Sequence, residues 1–598
     1  MRTSIATVSL SGSLTEKLTA ASLAGFDGVE IFENDLLASP LTPEEIRARC
    51  ADLGLTVDLY QPMRDIEALP EARFVQSLRR ARHKFELMRR LGADTVLVCS
   101  SVSPDAIDDD ALAAEQLARL ASLAQEHGVR VAYEALAWGR HISTYDHAWR
   151  VVEAAGHPAL GTCLDSFHIL SRGSDPKGIE DIPGEKIFFL QLADAPRLAM
   201  DVLQWSRHYR CFPGQGGFDI AGLVRHVLRT GYAGPLSLEV FNDVFRQSEA
   251  GPTAVDAQRS LRLLQEEVGT AAPPPPAVPT GVAFAELVTP DAQPVTALLG
   301  ALGFTRVARH RGKPVDLWQQ GEARVLVNTG PAERRDGTRL AAIGLNSADP
   351  AGAARRAEAL LAPVLPRRRA PEDALLDAVA APDGTELFFC AAPGADGPDW
   401  RADFAADTPA PKPPEVCRID HLALTQPWHH FDEAALFHRS VLGLSPQQSV
   451  DVADPYGLLR SRAVTSDDGA VRIVLSVGAA PTDDTVHAQH IALATDDVVA
   501  AARRFRAAGG RPLPIPANYY DDLAARFEFA AGELETYREL GILYDRDAHG
   551  VFRHCYTRTV GRVFFELLQR DDGYRGYGAP NAAVRLAAQH AARELTGG

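Results

Sequence analysis

The sequence predicts an α/β protein in two parts: an N-terminal (β/α)8 barrel, then a duplicated α+β region. Residues 1–270 alternate eight short apolar runs with longer amphipathic stretches, the rhythm of strands and helices wound into a parallel barrel. A proline run, Ala271-Ala272-Pro273-Pro274-Pro275-Pro276-Ala277-Val278-Pro279, breaks that rhythm, and residues 271–281 read as a semi-rigid spacer. Beyond it short strands dominate, and three stretches recur in the same order.

The eight apolar runs are Ser4–Leu10, Gly28–Phe32, Thr56–Tyr60, Thr95–Cys99, Val129–Leu136, Leu160–Asp165, Ile187–Gln191 and Pro235–Glu239. Helical periodicity fills Leu14–Ala24, Thr42–Leu53, Phe74–Leu91 and Ala111–His127. The second of these opens Thr42-Pro43-Glu44-Glu45, a capping box with proline at the first helical position, where its missing N–H has no partner to lose. Gly92, Gly128 and Gly231 stand where a left-handed residue would close a helix.

In the second part, Phe284–Pro290 parallels Asp420–Gln426, Ala342–Asn346 parallels His490–Ala494, and Asp383–Cys390 parallels Val560–Glu566. The spacer Thr408–Pro414 divides the copies, so the expected halves are 282–407 and 408–598. The later half carries His421, His490 and Glu566 at the matched positions; the earlier half carries Ala285, Ala342 and Cys390. One half is expected to bind a metal and the other to be metal-free.

The 598 residues exceed what one core serves, and 46% hydrophobic with 23% charged residues is ordinary for a globular chain. A net charge of −17 argues against nucleic acid or anionic lipid as partner. The seven cysteines form no Cys-x-x-Cys pair, which suits a reducing cytoplasm and disfavours a thiolate zinc site. No stretch approaches the roughly 20 apolar residues of a membrane span, and the first residues form too short an apolar run for a signal peptide.

The last four runs of the barrel each end in one oxygen donor: Glu134, Asp165, Gln191 and Glu239. Strand C-termini share one face of such a barrel, so the four converge there. Three carboxylates and an amide suit a hard divalent cation, Mg²⁺, Mn²⁺ or Co²⁺, which would also relieve their mutual repulsion. His168 follows Asp165 by three residues and has the near-neutral basicity of a proton carrier. Arg64 and Arg210 follow strand ends, where either could clamp a substrate carboxylate. The Gly-rich Pro213–Asp219 reads as a tight turn into the next helix. His421, His490 and Glu566 form a two-histidine, one-carboxylate set for a second divalent metal, Fe²⁺ or Mg²⁺.

The motifs Val131-Ala132-Tyr133-Glu134, Cys163-Leu164-Asp165-Ser166-Phe167-His168, Gln191-Leu192-Ala193-Asp194 and Leu238-Glu239 make residues 1–268 resemble the sugar-phosphate isomerase/epimerase-like TIM barrels. Many members of that family carry His at the place of Gln191. His421, His490 and Phe564–Arg570 make the second part resemble the vicinal-oxygen-chelate fold, in the arrangement of 4-hydroxyphenylpyruvate dioxygenase. That family's Gly-x-Gly-Asn-Phe entry to the last helix is here Gly576-Tyr577-Gly578-Ala579-Pro580-Asn581-Ala582. In this order the two modules resemble the fused bacterial 3-dehydroshikimate dehydratases of quinate and shikimate catabolism. The resemblance implies dehydration of 3-dehydroshikimate to protocatechuate by a metal-dependent lyase. His168 would then take the proton beside the ring carbonyl or relay it to the leaving hydroxyl. A small-molecule partner and a homo-oligomer are expected. The alternatives are a sugar isomerase or epimerase on the same barrel, with the second part either a dimerisation module or a working dioxygenase.

Overall fold

The computed structural model describes residues 1–330, 337–366, 373–396, 399–407, 416–455, 457–478 and 488–594. The chain divides into two compact units, Met1–Pro273 and Pro274–Gly598, so the break falls inside the first proline run. The second expected spacer, Thr408–Pro414, lies outside the described residues.

Eight parallel strands close the first unit: β1 (Thr3–Ala6), β2 (Gly28–Phe32), β3 (Thr56–Met63), β4 (Thr95–Cys99), β5 (Arg130–Glu134), β6 (Leu160–Asp165), β7 (Ile187–Leu192) and β8 (Leu236–Leu238). β1 pairs with both β2 and β8, which leaves no edge. The first apolar run ends earlier than expected, because Thr7–Ser9 tightens into a 3-10 turn. The second expected helix runs Pro43–Asp52, with both bonds of the Thr42/Glu45 capping box formed. Outside the barrel, Phe74, Ala81, Phe85 and Met88 of the helix Glu71–Leu91 are fully buried, so one apolar stripe holds that helix to the strands.

The loop after β7 is organised by an internal anion. Asp194 accepts the backbone N–H groups of Ala195 (2.8 Å), Gly214 (3.1 Å), Gly216 (3.0 Å) and Phe218 (2.9 Å). The Gly-rich turn is therefore a nest filled by the protein's own carboxylate. Asp194 also pairs with Cys211, and Arg210 N–H donates to the Phe241 carbonyl (3.2 Å), which seats Arg210 between the loops that follow β7 and β8.

The second unit holds two mixed sheets, one of eight strands within Gly281–Ala406 and one of nine within Val416–Asp571. Their ladders correct the matching of the copies. In the later half His421 stands opposite Ala492, which stands opposite Glu566. In the earlier half the same ladder reads Phe284, Gly344, Phe388. His490 still matches Ala342, since both lie one step along, between Ala423 and Phe564 in one copy and Glu286 and Glu386 in the other. Side chains alternate faces along a strand, so Ala285 sends its side chain to the core shared with Leu422, while Phe284 shares the inner face with His421.

A methyl group on Gly216 would stand 2.3 Å from Asp194 Oδ1 and 2.5 Å from the Ala195 nitrogen. Gly216→Ala is expected to destabilise the barrel by about 1–3 kcal/mol, read as a lower denaturant midpoint.

Candidate metal and catalytic site

Glu134 ends β5, Asp165 ends β6, Gln191 lies one residue inside the end of β7, and Glu239 follows β8. All four are buried, as are His168 and Arg210. Register explains part of the convergence: Asp165 pairs with Gln191, and Gln191 with Ser237. Ligand atoms of Glu134, Asp165 and His168 lie within 4.8 Å of one another. Glu239 joins them through Arg210, whose Nη1 donates to Asp165 Oδ2 (2.8 Å) and to Glu239 Oε2 (3.0 Å).

This cluster carries more negative charge than its own cation balances. Burial, with the neighbouring charges of Asp165 and Glu239, holds the Glu134 carboxyl well above the ordinary range. Burial likewise pushes Glu239 up to about 7, against the pull of Arg210. Asp165 alone goes the other way: burial opposes it, but Arg210 and its hydrogen bond outweigh burial. Glu134 Oε1 is a buried oxygen without a hydrogen-bond partner. An orphaned carboxylate oxygen facing other carboxylates fits a divalent cation held by Glu134, Asp165, Gln191 and Glu239.

A second layer aims these donors, and the sequence reading missed it. Glu30 of β2 is fully buried and accepts Gln191 Nε2 (2.6 Å), Gln61 Nε2 (2.8 Å) and the Ser237 hydroxyl. With its NH₂ turned to Glu30, Gln191 leaves Oε1 as its free end, 3.4 Å from the Cys163 thiol that donates to it. Gln61 also bonds Glu239, so Glu30 steadies two of the four donors. One signal was legible: a charged residue inside the apolar run Gly28-Val29-Glu30-Ile31-Phe32.

His168 lies under Trp138, ring centroids 5.1 Å apart, and against Phe167. Both its nitrogens face donors: Ala137 N–H at Nδ1 (3.1 Å) and Arg210 Nη2 at Nε2 (3.2 Å). A neutral imidazole accepts at one nitrogen only, so an added proton displaces a donor. Burial, reinforced by Arg210 and Arg64, drives its pKa down to about 3, and the ring rests neutral.

The two arginines part company. Arg210 directs its guanidinium to Asp165, Glu239 and Ser206 and lies over the Phe167 ring at 4.6 Å. It acts as an internal counter-ion, its donors facing the cluster rather than the solvent side. Arg64 is half-buried, its field reaches His168 and Glu239, and its side chain has no hydrogen bond or ion pair among the described residues.

In the second unit His421 Nε2, His490 Nε2 and Glu566 Oε2 lie 3.2 Å from one another. His421 Nδ1 is 2.8 Å from Asp420 Oδ1, so its proton sits there and the Nε2 lone pair faces inward. Arg570 donates twice to Asp420 (2.9 and 2.8 Å) and Arg472 once (3.2 Å); these donors and His421 hold its carboxyl far below the usual range, against burial. Glu566 Oε1 is 2.7 Å from His554 Nδ1, whose Nε2 is 2.9 Å from Asn581 Nδ2. Glu566 Oε2 has no hydrogen-bond donor, and burial drives the His490 pKa down to about 4. Two inward lone pairs and an orphaned carboxylate oxygen fit a transition-metal ion. His554 gave no sequence signal and reads as a lone polar residue, whereas Asn581 lies in the segment that stands for the Gly-x-Gly-Asn-Phe motif.

Fold and site together define a barrel enzyme with a candidate metal site, joined to a dioxygenase-like module. The family model for xylose isomerase-like TIM barrels matches residues 18–267. The N-terminal model of hydroxyphenylpyruvate dioxygenase matches 275–353, and that of the glyoxalase/bleomycin resistance protein/dioxygenase superfamily 418–549. A solved xylose isomerase-like TIM barrel/4-hydroxyphenylpyruvate dioxygenase fusion protein superposes with a TM-score of 0.90 at 43% identity, covering 99% of this chain and 100% of that one. The 3-dehydroshikimate dehydratases of Pseudomonas putida and Pseudomonas aeruginosa are each 44% identical, over 99% of both chains. The chain belongs to the 3-dehydroshikimate dehydratases, a hydro-lyase family. The sugar isomerase alternative is not favoured by these full-length relatives. Among the described residues no helix is long and apolar enough to cross a membrane.

Replacing Glu30 by Ala frees the Gln191 and Gln61 amides. Metal affinity of the barrel is expected to fall about 10- to 100-fold, measured by Mn²⁺ titration.

Proposed function

We infer that the barrel converts 3-dehydroshikimate to protocatechuate and water, with Glu134, Asp165, Gln191 and Glu239 holding one divalent ion, Mg²⁺, Mn²⁺ or Co²⁺. The observation that supports this most is the buried anionic cluster with its orphaned Glu134 oxygen, in a chain matched end to end by dehydratases. When bound, the cation supplies Lewis acidity to the ring ketone.

The chain's own residues carry the remaining tasks. His168, neutral at rest, takes the proton beside the carbonyl and hands it to the departing hydroxyl, so one proton and one hydroxyl leave as water. Trp138 and Phe167 hold that ring in place. Arg64, whose side chain has no partner among the described residues, pairs with the substrate carboxylate. Arg210 keeps Asp165 charged and oriented. The closed barrel floor of Leu59, Leu97, Ala132 and Phe189 keeps water from the other side. Aromatisation makes the loss of water irreversible. In the second unit His421, His490 and Glu566 hold the second ion, Fe²⁺ or Mg²⁺.

Incubation with 3-dehydroshikimate is expected to generate the absorbance of protocatechuate, to stop on chelation and to resume with Mg²⁺, Mn²⁺ or Co²⁺. Glu134→Ala should lose both metal and turnover. His168→Ala should keep the metal while kcat falls roughly 100- to 10,000-fold; near-normal turnover there removes His168 from the mechanism. Arg64→Met should act mainly on KM, by about 1.5–3 kcal/mol of lost charged hydrogen bonding.

A further inference from the structure

The cavity over the second unit's triad has a charged wall that the triad does not explain. Its lining includes the triad ligands His421 and His490 and, from the last helix, Ala582–Glu594, Arg585 and Gln589. The Arg585 guanidinium lies 5.8 Å from the Tyr556 ring centroid and 5.5 Å from that of Phe564. Phe564 packs on His490 with centroids 4.9 Å apart. About one aromatic ring therefore separates Arg585 from a triad ligand. Arg585 donates to Gln589 Oε1 (2.8 Å) and has no carboxylate partner among the described residues. It is half-buried and lines the same cavity as His421, His490 and Tyr556.

The charges of the triad and of Arg585 constrain the occupant. Two neutral histidines and Glu566 leave a bound dication with one net positive charge, and Arg585 adds another. A half-buried cation beside such a centre is unfavourable unless an anion accompanies it. An α-keto carboxylate would place its single negative charge on the chelating oxygens and leave Arg585 unmatched. A single ring with two adjacent oxygen donors at one edge and a carboxylate at the other meets both. The walls between suit such a ring: Val452, Leu459, Val474 and Leu586 are apolar, and the Ser461 and Ser476 hydroxyls, 3.3 Å apart, offer polar contact. An acid of this kind is also what the barrel releases, a link that rests on the proposed dehydration.

We propose that the second unit's cavity binds a single-ring carboxylic acid carrying two adjacent hydroxyls, with Arg585 pairing its carboxylate. The probe is protocatechuate, titrated by calorimetry and by the visible spectrum of Co²⁺ into the full chain carrying Glu134→Ala, which silences the barrel site. Saturable binding that perturbs the Co²⁺ spectrum is expected. It should weaken at least tenfold in Arg585→Ala, recover partly in Arg585→Lys and vanish in His421→Ala. Catechol, which lacks the carboxylate, should bind Arg585→Ala and the parent equally. Equal protocatechuate affinity with and without Arg585, or a spectral response to phenylpyruvate but none to protocatechuate, overturns the proposal. If Glu134→Ala does not fold, the same comparison on the wild-type chain reads the loss of one of two binding sites. Dehydration is measured separately, as aromatic product from 3-dehydroshikimate, so its failure and the failure of this binding appear on different signals.

Discussion

An excess of buried negative charge at the mouth of the barrel governs how the first unit is built. Glu30, Glu134, Asp165 and Glu239 are all buried there, and Arg210 is in direct contact with two of them, Asp165 and Glu239. In a medium of low dielectric such a set is unfavourable, and the raised carboxyl pKa values of Glu30, Glu134 and Glu239 express that cost. A divalent ion would answer the imbalance compactly, because it brings two positive charges to one small centre among the oxygens. The neutral donor Gln191 belongs to the same balance: its amide contributes an oxygen without charge, while Glu30 behind it keeps a carboxylate one layer further out.

The three functional cations divide their work by burial. Arg210 lies fully inside and stabilises the ligands. Arg64 is half-buried, and its side chain has no acceptor among the described residues. Arg585 of the second unit is also half-buried, but its guanidinium donates to Gln589 and has no carboxylate partner among the described residues. The two metal sites also differ in chemistry. Oxygen donors in anionic excess suit hard ions, whereas two imidazole nitrogens and one carboxylate suit a transition metal with open positions. Each site has its own orienting layer: Glu30 and Gln61 in the barrel, Asp420, His554 and Asn581 in the second unit.

The two halves differ at the candidate metal positions. At the ladder positions of His421 and Glu566 the earlier half carries Phe284 and Phe388, with centroids 6.0 Å apart. Trp400 packs edge-on to Phe284 at 4.9 Å. Aromatic packing thus stands where the later half buries polar donors, and apolar rings there carry no desolvation cost.

The sequence by itself determined the barrel, its eight strand locations, the helix caps and the four donors at successive strand ends, because period-2 and period-3.6 patterns and strand-end position are local properties. It also placed His421, His490 and Glu566 in one half of a repeat. It misjudged the counterparts of His421 and Glu566 in the other half by one and two positions, since apolar strands tolerate a slipped alignment until a ladder sets the register. Only the tertiary structure decided that Arg210 faces inward, that Asp194 fills the Gly-rich turn, that Glu30 aims Gln191 and that His554 braces Glu566. Each of these joins residues far apart in the chain, and such pairing depends on strand register and barrel closure, which no single segment encodes.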